Sequence, residues 1–302
     1  MSAPTGVDDA ARITALERGF PGFEVGTVAS GDTTIGYRVA GDGPMALLIH
    51  GFPESGLEWR HVAPILAQRY RVVVPDYRGA AGSDVPADGY DKTTMAADLH
   101  AVITELGDPA VHVVGHDIGT TLAYAYARQY ATDVRSLTLI EGIVPGTAML
   151  DAIVASGTAW HFAFHQQVDL ATTLISGRED VYTDYFFDTF LTDPAIVDAA
   201  DRQFYADALR RPGAVRAAVS TYAEWFGPDA ADNRTYVEKH GLLSVPTLAL
   251  GGAKSMGGSM AAIAGDVASN VTPATIEAGH FVADEAPDDV ARILLEHLDA
   301  HR

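Results

Sequence analysis

Val111-His112-Val113-Val114-Gly115-His116-Asp117-Ile118-Gly119 decides how this 302-residue chain is read. A short run of strand character ends on a carboxylate, Asp117, that stands between Gly115 and Gly119. This is the layout of a nucleophile elbow, a strand-to-helix turn so tight that its neighbours must be small, with Asp in the position usually held by Ser. The turn lifts its central side chain clear of the sheet. A carboxylate nucleophile makes an alkyl ester and not an acyl one, so Asp117 suits attack on saturated carbon that bears a leaving group or belongs to a strained ring. The competing reading is that Asp117 only caps a helix beginning at Ile118, because Asp is a preferred N-cap residue.

Two more loops of the same kind lie to either side. His50-Gly51-Phe52-Pro53 follows the apolar run Met45 to Ile49, and Ala278-Gly279-His280-Phe281 follows the short run Ala274-Thr275-Ile276. Between them the chain alternates: apolar runs at 45–50, 71–75, 111–115 and 135–140 are separated by amphipathic stretches at 58–69, 92–106 and 118–131. That is the pattern of βαβ units, and it predicts an α/β fold with a mostly parallel sheet flanked by helices. Two β-prone runs, 23–30 and 33–40, precede it and meet at Gly31-Asp32, a hairpin signal. In such sheets ligands bind at the carboxyl ends of the strands, where Phe52, Asp117 and Glu141 all emerge. From 142 to 240 the strand signal lapses into aromatic, helix-prone segments such as Trp160-His161-Phe162-Ala163-Phe164. The α/β pattern resumes at Pro246, and a terminal helix is expected over 288–298. The division predicted is a core of 1–141 and 241–302 with a helical cap inserted at 142–240.

Composition narrows the field of functions. The chain is 48% hydrophobic, enough for one large core, and no stretch is long and apolar enough to span a bilayer. Met1 to Phe20 contains Asp8, Asp9 and Glu17 without an apolar segment, so it does not read as a secretory signal and a cytoplasmic location is expected. The absence of Cys excludes disulfides, thiolate metal sites and a Cys nucleophile. Forty acidic against twenty basic residues give a formal net charge of −20, which would repel phosphate backbones, so no nucleic acid is expected as a partner.

HGFP at 50–53, GHDIG at 115–119 and AGHF at 278–281 together resemble the epoxide hydrolase family of the α/β-hydrolases, in order and over nearly the whole chain beyond residue 20. Within that family the chain is most similar to the Cif-like group, in which a cap His replaces one of two ring-opening tyrosines. Trp160-His161-Phe162 and the Tyr222 of Ser220-Thr221-Tyr222 fall where that group carries them. The resemblance implies Asp117 as nucleophile, His280 as general base, Glu141 as the acid that orients His280, and His161 and Tyr222 as donors to the leaving alkoxide. It further implies an oxyanion hole from the backbone N–H groups of Phe52 and Ile118, with Phe52, Trp160 and Phe162 as pocket wall. Asp266 is a weaker alternative for the orienting acid. The implied activity is hydrolysis of a small, mainly apolar epoxide to a vicinal diol without a cofactor. A homodimer is the candidate assembly.

Several features bear on rivals. His161 and His165 stand one helical turn apart, a spacing that can bind metal, but no third ligand accompanies them and no metal is expected. His116 is expected to pack within the elbow, and His61, His100, His297 and His301 to be solvated or edge residues. A dehalogenase would share the Asp nucleophile. Haloalkane dehalogenases commonly carry Trp directly after it, and the fluoroacetate type resembles GHDRGxR, whereas this chain has Ile118 and Thr121 at those positions. A non-catalytic binding protein on the same fold is the remaining alternative. In Asp76-Tyr77-Arg78-Gly79-Ala80-Ala81-Gly82, Ala81 replaces the usual second Gly of the family.

Overall fold

The computed structural model describes residues 8–107, 110–157 and 159–302, so the first seven residues of the acidic N-terminal stretch lie outside the described residues. The hairpin forms as expected, with β1 (Glu24–Ser30) and β2 (Thr33–Ala40) antiparallel about Gly31, whose φ of 57° supplies the turn. The apolar runs become β3 (Met45–Ile49), β4 (Arg71–Pro75), β5 (Val111–His116), β6 (Val134–Ile140), β7 (Thr247–Gly252) and β8 (Val271–Ile276). Among the described residues these eight form one sheet in the order β1-β2-β4-β3-β5-β6-β7-β8. All pairs beyond β2 and β4 are parallel. Every residue of β3, β5 and β7 is buried, which is why those strands read as continuous apolar runs and not as alternations. β8 closes one edge with exposed residues and Pro273, tolerated there because an edge amide needs no sheet partner.

The helices follow in chain order: α1 (Asp9–Glu17), α2 (Ala63–Leu66), α3 (Lys92–Glu105) and α4 (Ile118–Gln129). The expected amphipathic stretch 58–69 is not one helix. It is a 3-10 turn, Gly56–Arg60, followed by the short α2, because Pro64 has no N–H to continue a helix and sits in a first turn. α3 is capped by Asp91, whose carboxylate accepts from the Thr94 amide at 2.8 Å. Between β6 and β7 the described residues form only helical elements: α5 (Ala148–Ser156), α6 (Trp160–His165), α7 (Val168–Ile175), α8 (Glu179–Phe190), α9 (Ala199–Arg210), α10 (Ala214–Ala223) and α11 (Pro228–His240). The core resumes with α12 (Ser259–Gly265), α13 (Val282–Glu285) and α14 (Pro287–Ala300).

One expectation about histidines is corrected here. His297 is not an edge residue; it lies on the buried face of α14 with Val290, Leu294 and Leu298, and burial pulls it down to about 4. Among the described residues no helix is long and apolar enough to cross a membrane.

Candidate active site

β5 delivers Asp117 with φ 50° and ψ −119°, a backbone conformation that residues bearing a Cβ rarely adopt. The tightness that the glycines promised is measurable. A Cβ on Gly115 would stand 2.1 Å from the Gly119 carbonyl oxygen, and one on Gly119 would stand 2.4 Å from that of Ile49. The Asp117 amide donates to the Ile140 carbonyl at 3.0 Å, and the Thr120 hydroxyl reaches the carbonyls of Gly115 and Ile140, both at 2.9 Å. These bonds pin the elbow to β6. The Asp117 carboxylate makes no capping hydrogen bond to α4, which removes the reading of Asp117 as a plain helix cap.

Instead the carboxylate faces a cavity. Its Oδ2 accepts from the Phe52 amide at 2.9 Å and from the Tyr222 hydroxyl at 3.4 Å. Its Oδ1 lies 3.9 Å from His280 Nε2, beyond hydrogen-bonding distance. Ile118 opens α4, so its amide belongs to the first turn, where helix N–H groups lack intrahelical acceptors. The Phe52 amide is thus hydrogen-bonded to Asp117 Oδ2, and the Ile118 amide stands beside it in chain order at the start of α4, next after Asp117. Phe52-Pro53 is a cis peptide bond.

β6 ends at Glu141, which has φ 48° and is the other non-glycine residue with positive φ among the described residues. Its amide donates to the Leu250 carbonyl at 3.2 Å. Glu141 Oε1 accepts from the amides of Gly252 at 2.7 Å and Met256 at 3.2 Å, and Oε2 lies 3.2 Å from His280 Nδ1. Burial by itself would raise this carboxyl; the hydrogen bond and charge of His280, with the Gly252 amide, outweigh it and hold the group below the usual carboxylate range. An ionised Glu141 accepts from Nδ1–H and leaves the Nε2 lone pair turned toward Asp117. Asp266, the alternative acid, caps the C-terminus of α12 and lines a separate surface groove with Pro145 and Arg234.

His280 follows β8, and its amide is tied to the Phe190 carbonyl at the end of α8 at 3.2 Å. The inserted helices roof the site. A cavity of about 410 Å³ is lined from below by Phe52, Asp117, Glu141 and His280, and from above by His161, Phe162, Phe186, Phe190, Tyr222 and Trp225. Tyr222, His280 and His161 face Asp117 within a largely apolar and aromatic wall that also includes Lys254 and Ser255, the character of a small-molecule site. His161 is pulled down to about 4 by burial, partly offset by the Asp117 charge, so it is a neutral imidazole near neutrality. Burial and the Asp117 charge push the Tyr222 hydroxyl well above its usual range, which keeps its proton in place.

The sequence expectations meet one correction and one omission. Trp160 does not wall the cavity. It is 41% exposed on the outer side of α6, where its Nε1 donates to the Tyr185 hydroxyl at 2.8 Å. Phe162, two residues on, is the inward one. His165, one turn beyond His161, lies behind the cavity wall with Nε2 at 2.5 Å from the Tyr182 hydroxyl. Glu58 and His116 were not foreseen as a pair. His116 Nδ1 is 3.3 Å from Glu58, and Nε2 reaches the His280 carbonyl at 2.9 Å. Burial alone would lower His116, but the charge and hydrogen bond of Glu58, with the Asp117 charge, hold it up at about 9. Glu54, Glu58 and His116 are a group of potential metal ligands with donor atoms within 4.8 Å of one another. A doubly protonated imidazole has no lone pair for a cation, and burial and the Asp284 charge push the Glu54 carboxyl well above the carboxylate range. These residues fit an internal hydrogen-bond network better than a metal.

Comparison with known proteins agrees with this geometry. Residues 46–254 match the family described as the alpha/beta hydrolase fold. A soluble epoxide hydrolase of Corynebacterium sp. (strain C12) is 32% identical over 267 residues, covering 84% of this chain and 90% of that protein. A fluoroacetate dehalogenase of Burkholderia sp. is 31% identical over 299 residues, covering 94% and 96%. Among solved structures, the epoxide hydrolase CorEH without ligand superposes with a TM-score of 0.85 at 29% identity, covering 93% of this chain and all of that one (100%). Cfl2 from Burkholderia cenocepacia superposes with a TM-score of 0.85 at 34% identity, covering 93% and 96%. With its eight-stranded sheet, its elbow after β5 and this match across most of its length, the chain belongs to the α/β-hydrolase family and is a hydrolase similar to epoxide hydrolases.

Proposed function

We propose that this hydrolase opens an epoxide to a vicinal diol through a covalent ester on Asp117, with residues 142–240 acting as its cap and the His161/Tyr222 pair aligning it with the Cif-like group. The observation that carries the reading is the position of the Tyr222 hydroxyl, 3.4 Å from Asp117 Oδ2, with His161 on the same cavity wall. Two neutral donors on the roof face a nucleophile on the floor, and an epoxide between them is attacked from one side while its oxygen is received on the other.

In the first step Asp117 Oδ1 attacks a ring carbon and the C–O bond to the epoxide oxygen breaks. The departing alkoxide takes hydrogen bonds from Tyr222 and His161 and receives a proton from one of them, which solvent later restores. In the second step His280 Nε2 removes a proton from water, and the hydroxide attacks the ester carbonyl carbon of Asp117. The tetrahedral oxyanion is held by the Phe52 and Ile118 amides. Collapse expels the diol oxygen, which takes its proton from the His280 imidazolium and leaves Asp117 as the carboxylic acid; that acid releases its proton to solvent, balancing the one that re-protonated the roof donor, and the Asp117 carboxylate is regenerated. Glu141 keeps Nδ1 protonated throughout and balances the charge on His280.

The likeness to a fluoroacetate dehalogenase along 94% of the chain supports a second reading, displacement of halide by the same Asp. Against it, among the described residues no arginine lines the cavity and Lys254 is the one cationic side chain in the lining, and Ile118 and Thr121 stand where the fluoroacetate type carries arginines. Both readings are tested by one panel: aromatic, aliphatic and terpene epoxides beside brominated alkanes and fluoroacetate, with diol and halide measured separately. Diol from at least one epoxide class without halide release supports the proposal. Halide release without diol overturns it.

A further inference from the structure

Glu58 and His116 are 0% and 1% exposed and make no contact with the cavity, yet together they touch both devices that the second chemical step uses. Glu58 Oε2 accepts from the Gly51 amide at 2.8 Å, and the next amide along the chain, that of Phe52, is the donor to Asp117. His116 Nδ1 lies 3.3 Å from each Glu58 oxygen, while its Nε2 donates to the backbone carbonyl of His280 at 2.9 Å. Both acceptors are fully occupied only when both ring nitrogens carry hydrogen, which the high proton affinity of His116 provides. The three segments joined, Gly51–Phe52, His116–Asp117 and His280, arise from the ends of three different strands, and no direct hydrogen bond between the first and the last appears among the described residues.

We propose that Glu58 and His116 form a positioning pair that sets the register between the oxyanion loop and the general base, and so governs ester hydrolysis and not ring opening. The proposal rests on the two-step mechanism above. In that mechanism the first step uses Asp117 Oδ1 with Tyr222 and His161, and among the described residues neither Glu58 nor His116 is hydrogen-bonded to any of these three groups. The second needs His280 Nε2 and the Phe52 amide at fixed positions about the same carbonyl carbon. Glu141 fixes the rotation of the His280 ring through Nδ1, and His116 fixes the backbone from which that ring projects. A displacement of about 1 Å at such a centre can slow chemistry by on the order of 10²-fold.

The test is rapid-quench kinetics on an epoxide that the wild type hydrolyses, following the protein-bound ester by intact mass in Glu58→Ala, Glu58→Gln and His116→Phe. Glu58→Ala and His116→Phe are expected to slow ester hydrolysis by about tenfold or more while ester formation stays within about twofold of wild type, because the base backbone and the oxyanion loop that the pair holds are both needed at one carbon only in the second step. Glu58→Gln keeps an acceptor for the Gly51 amide and lets a neutral His116 retain its Nε2–H bond, so it is expected to recover most of the hydrolysis rate. A merely structural role would lower the active fraction and scale both steps alike. Equal loss in both steps, or no change in either in folded His116→Phe, overturns the proposal; should Glu58→Ala not fold, the contrast between His116→Phe and Glu58→Gln decides it. His280→Gln is the control: if it forms no Asp117 adduct, the two-step mechanism itself fails, whatever the Glu58 variants do.

Discussion

Replacing His280 by Gln should separate the two halves of the reaction. Asp117 needs no deprotonation to attack, and its Oδ1 is 3.9 Å from Nε2, so loss of the imidazole leaves the nucleophile and the roof donors Tyr222 and His161 in place. Water, by contrast, needs a base. General-base assistance is worth about 10²- to 10⁴-fold, so ester hydrolysis should slow by that factor while formation holds. If the two steps run at comparable speed in the wild type, roughly half of the saturated enzyme is ester, and a slowing of about 10² raises that share to about 99%. Intact-mass measurement after incubation with a reactive epoxide should show addition of the whole epoxide, and peptide mapping should locate it on Asp117. An alkyl halide treated by a dehalogenase would add only its alkyl group. Normal turnover by His280→Gln, or repeated absence of adduct with epoxides that the wild type hydrolyses, would refute the covalent route and point to direct attack by water.

Tyr222→Phe and His161→Ala should each slow ester formation by on the order of 10²-fold, since each removes one donor to the alkoxide; single-turnover rates equal to wild type in both would remove the roof pair from the mechanism. Because His161 is held down at about 4, it stays neutral above that value, and the ring-opening rate should be flat between about pH 6 and 8; a sigmoidal rise or fall centred in that window counts against it. Glu141→Gln should raise the alkyl-enzyme fraction through weaker orientation of His280, and unchanged pre-steady-state kinetics would assign that role to another acid. His116 titrates at about 9 folded against about 6.5 unfolded, so its stabilisation is fully present below about 6.5 and lost as pH rises through about 9. The loss is on the order of 3 kcal/mol, readable as a fall in urea-unfolding free energy from pH 6 to 10, and Glu58→Gln should flatten that slope.

Much of this site was legible in the sequence because local sterics announce it. Gly115 and Gly119 are demanded because a Cβ at either would collide with a backbone carbonyl oxygen, and buried parallel strands leave the unbroken apolar runs that located Phe52, Asp117 and Glu141 at strand ends. Trp160 was misread because α6 spans only six residues and carries aromatic rings at most positions, so composition gives no phase to tell Trp160 outside from Phe162 inside. For His297 the signal was present: it follows Val290 by seven residues and Leu294 by three on one helical face. Glu58 could not have been paired with His116 in advance. It reaches Gly51 through an irregular 3-10 turn, and their contact depends on two loops from different strands meeting at His280.

The left-handed corner at Asp117 sets stability against activity at a single position. A conformation with φ 50° and ψ −119° costs a side-chain-bearing residue about 1 to 3 kcal/mol, and the carboxylate recovers none of it by capping α4. Glycine would occupy the same corner without that strain. Selection of variants for thermal tolerance alone should therefore enrich Asp117→Gly, yielding a sturdier protein without the proposed nucleophile, so persistence of Asp at this corner in a lineage of stabilised variants would be a record of selection for turnover.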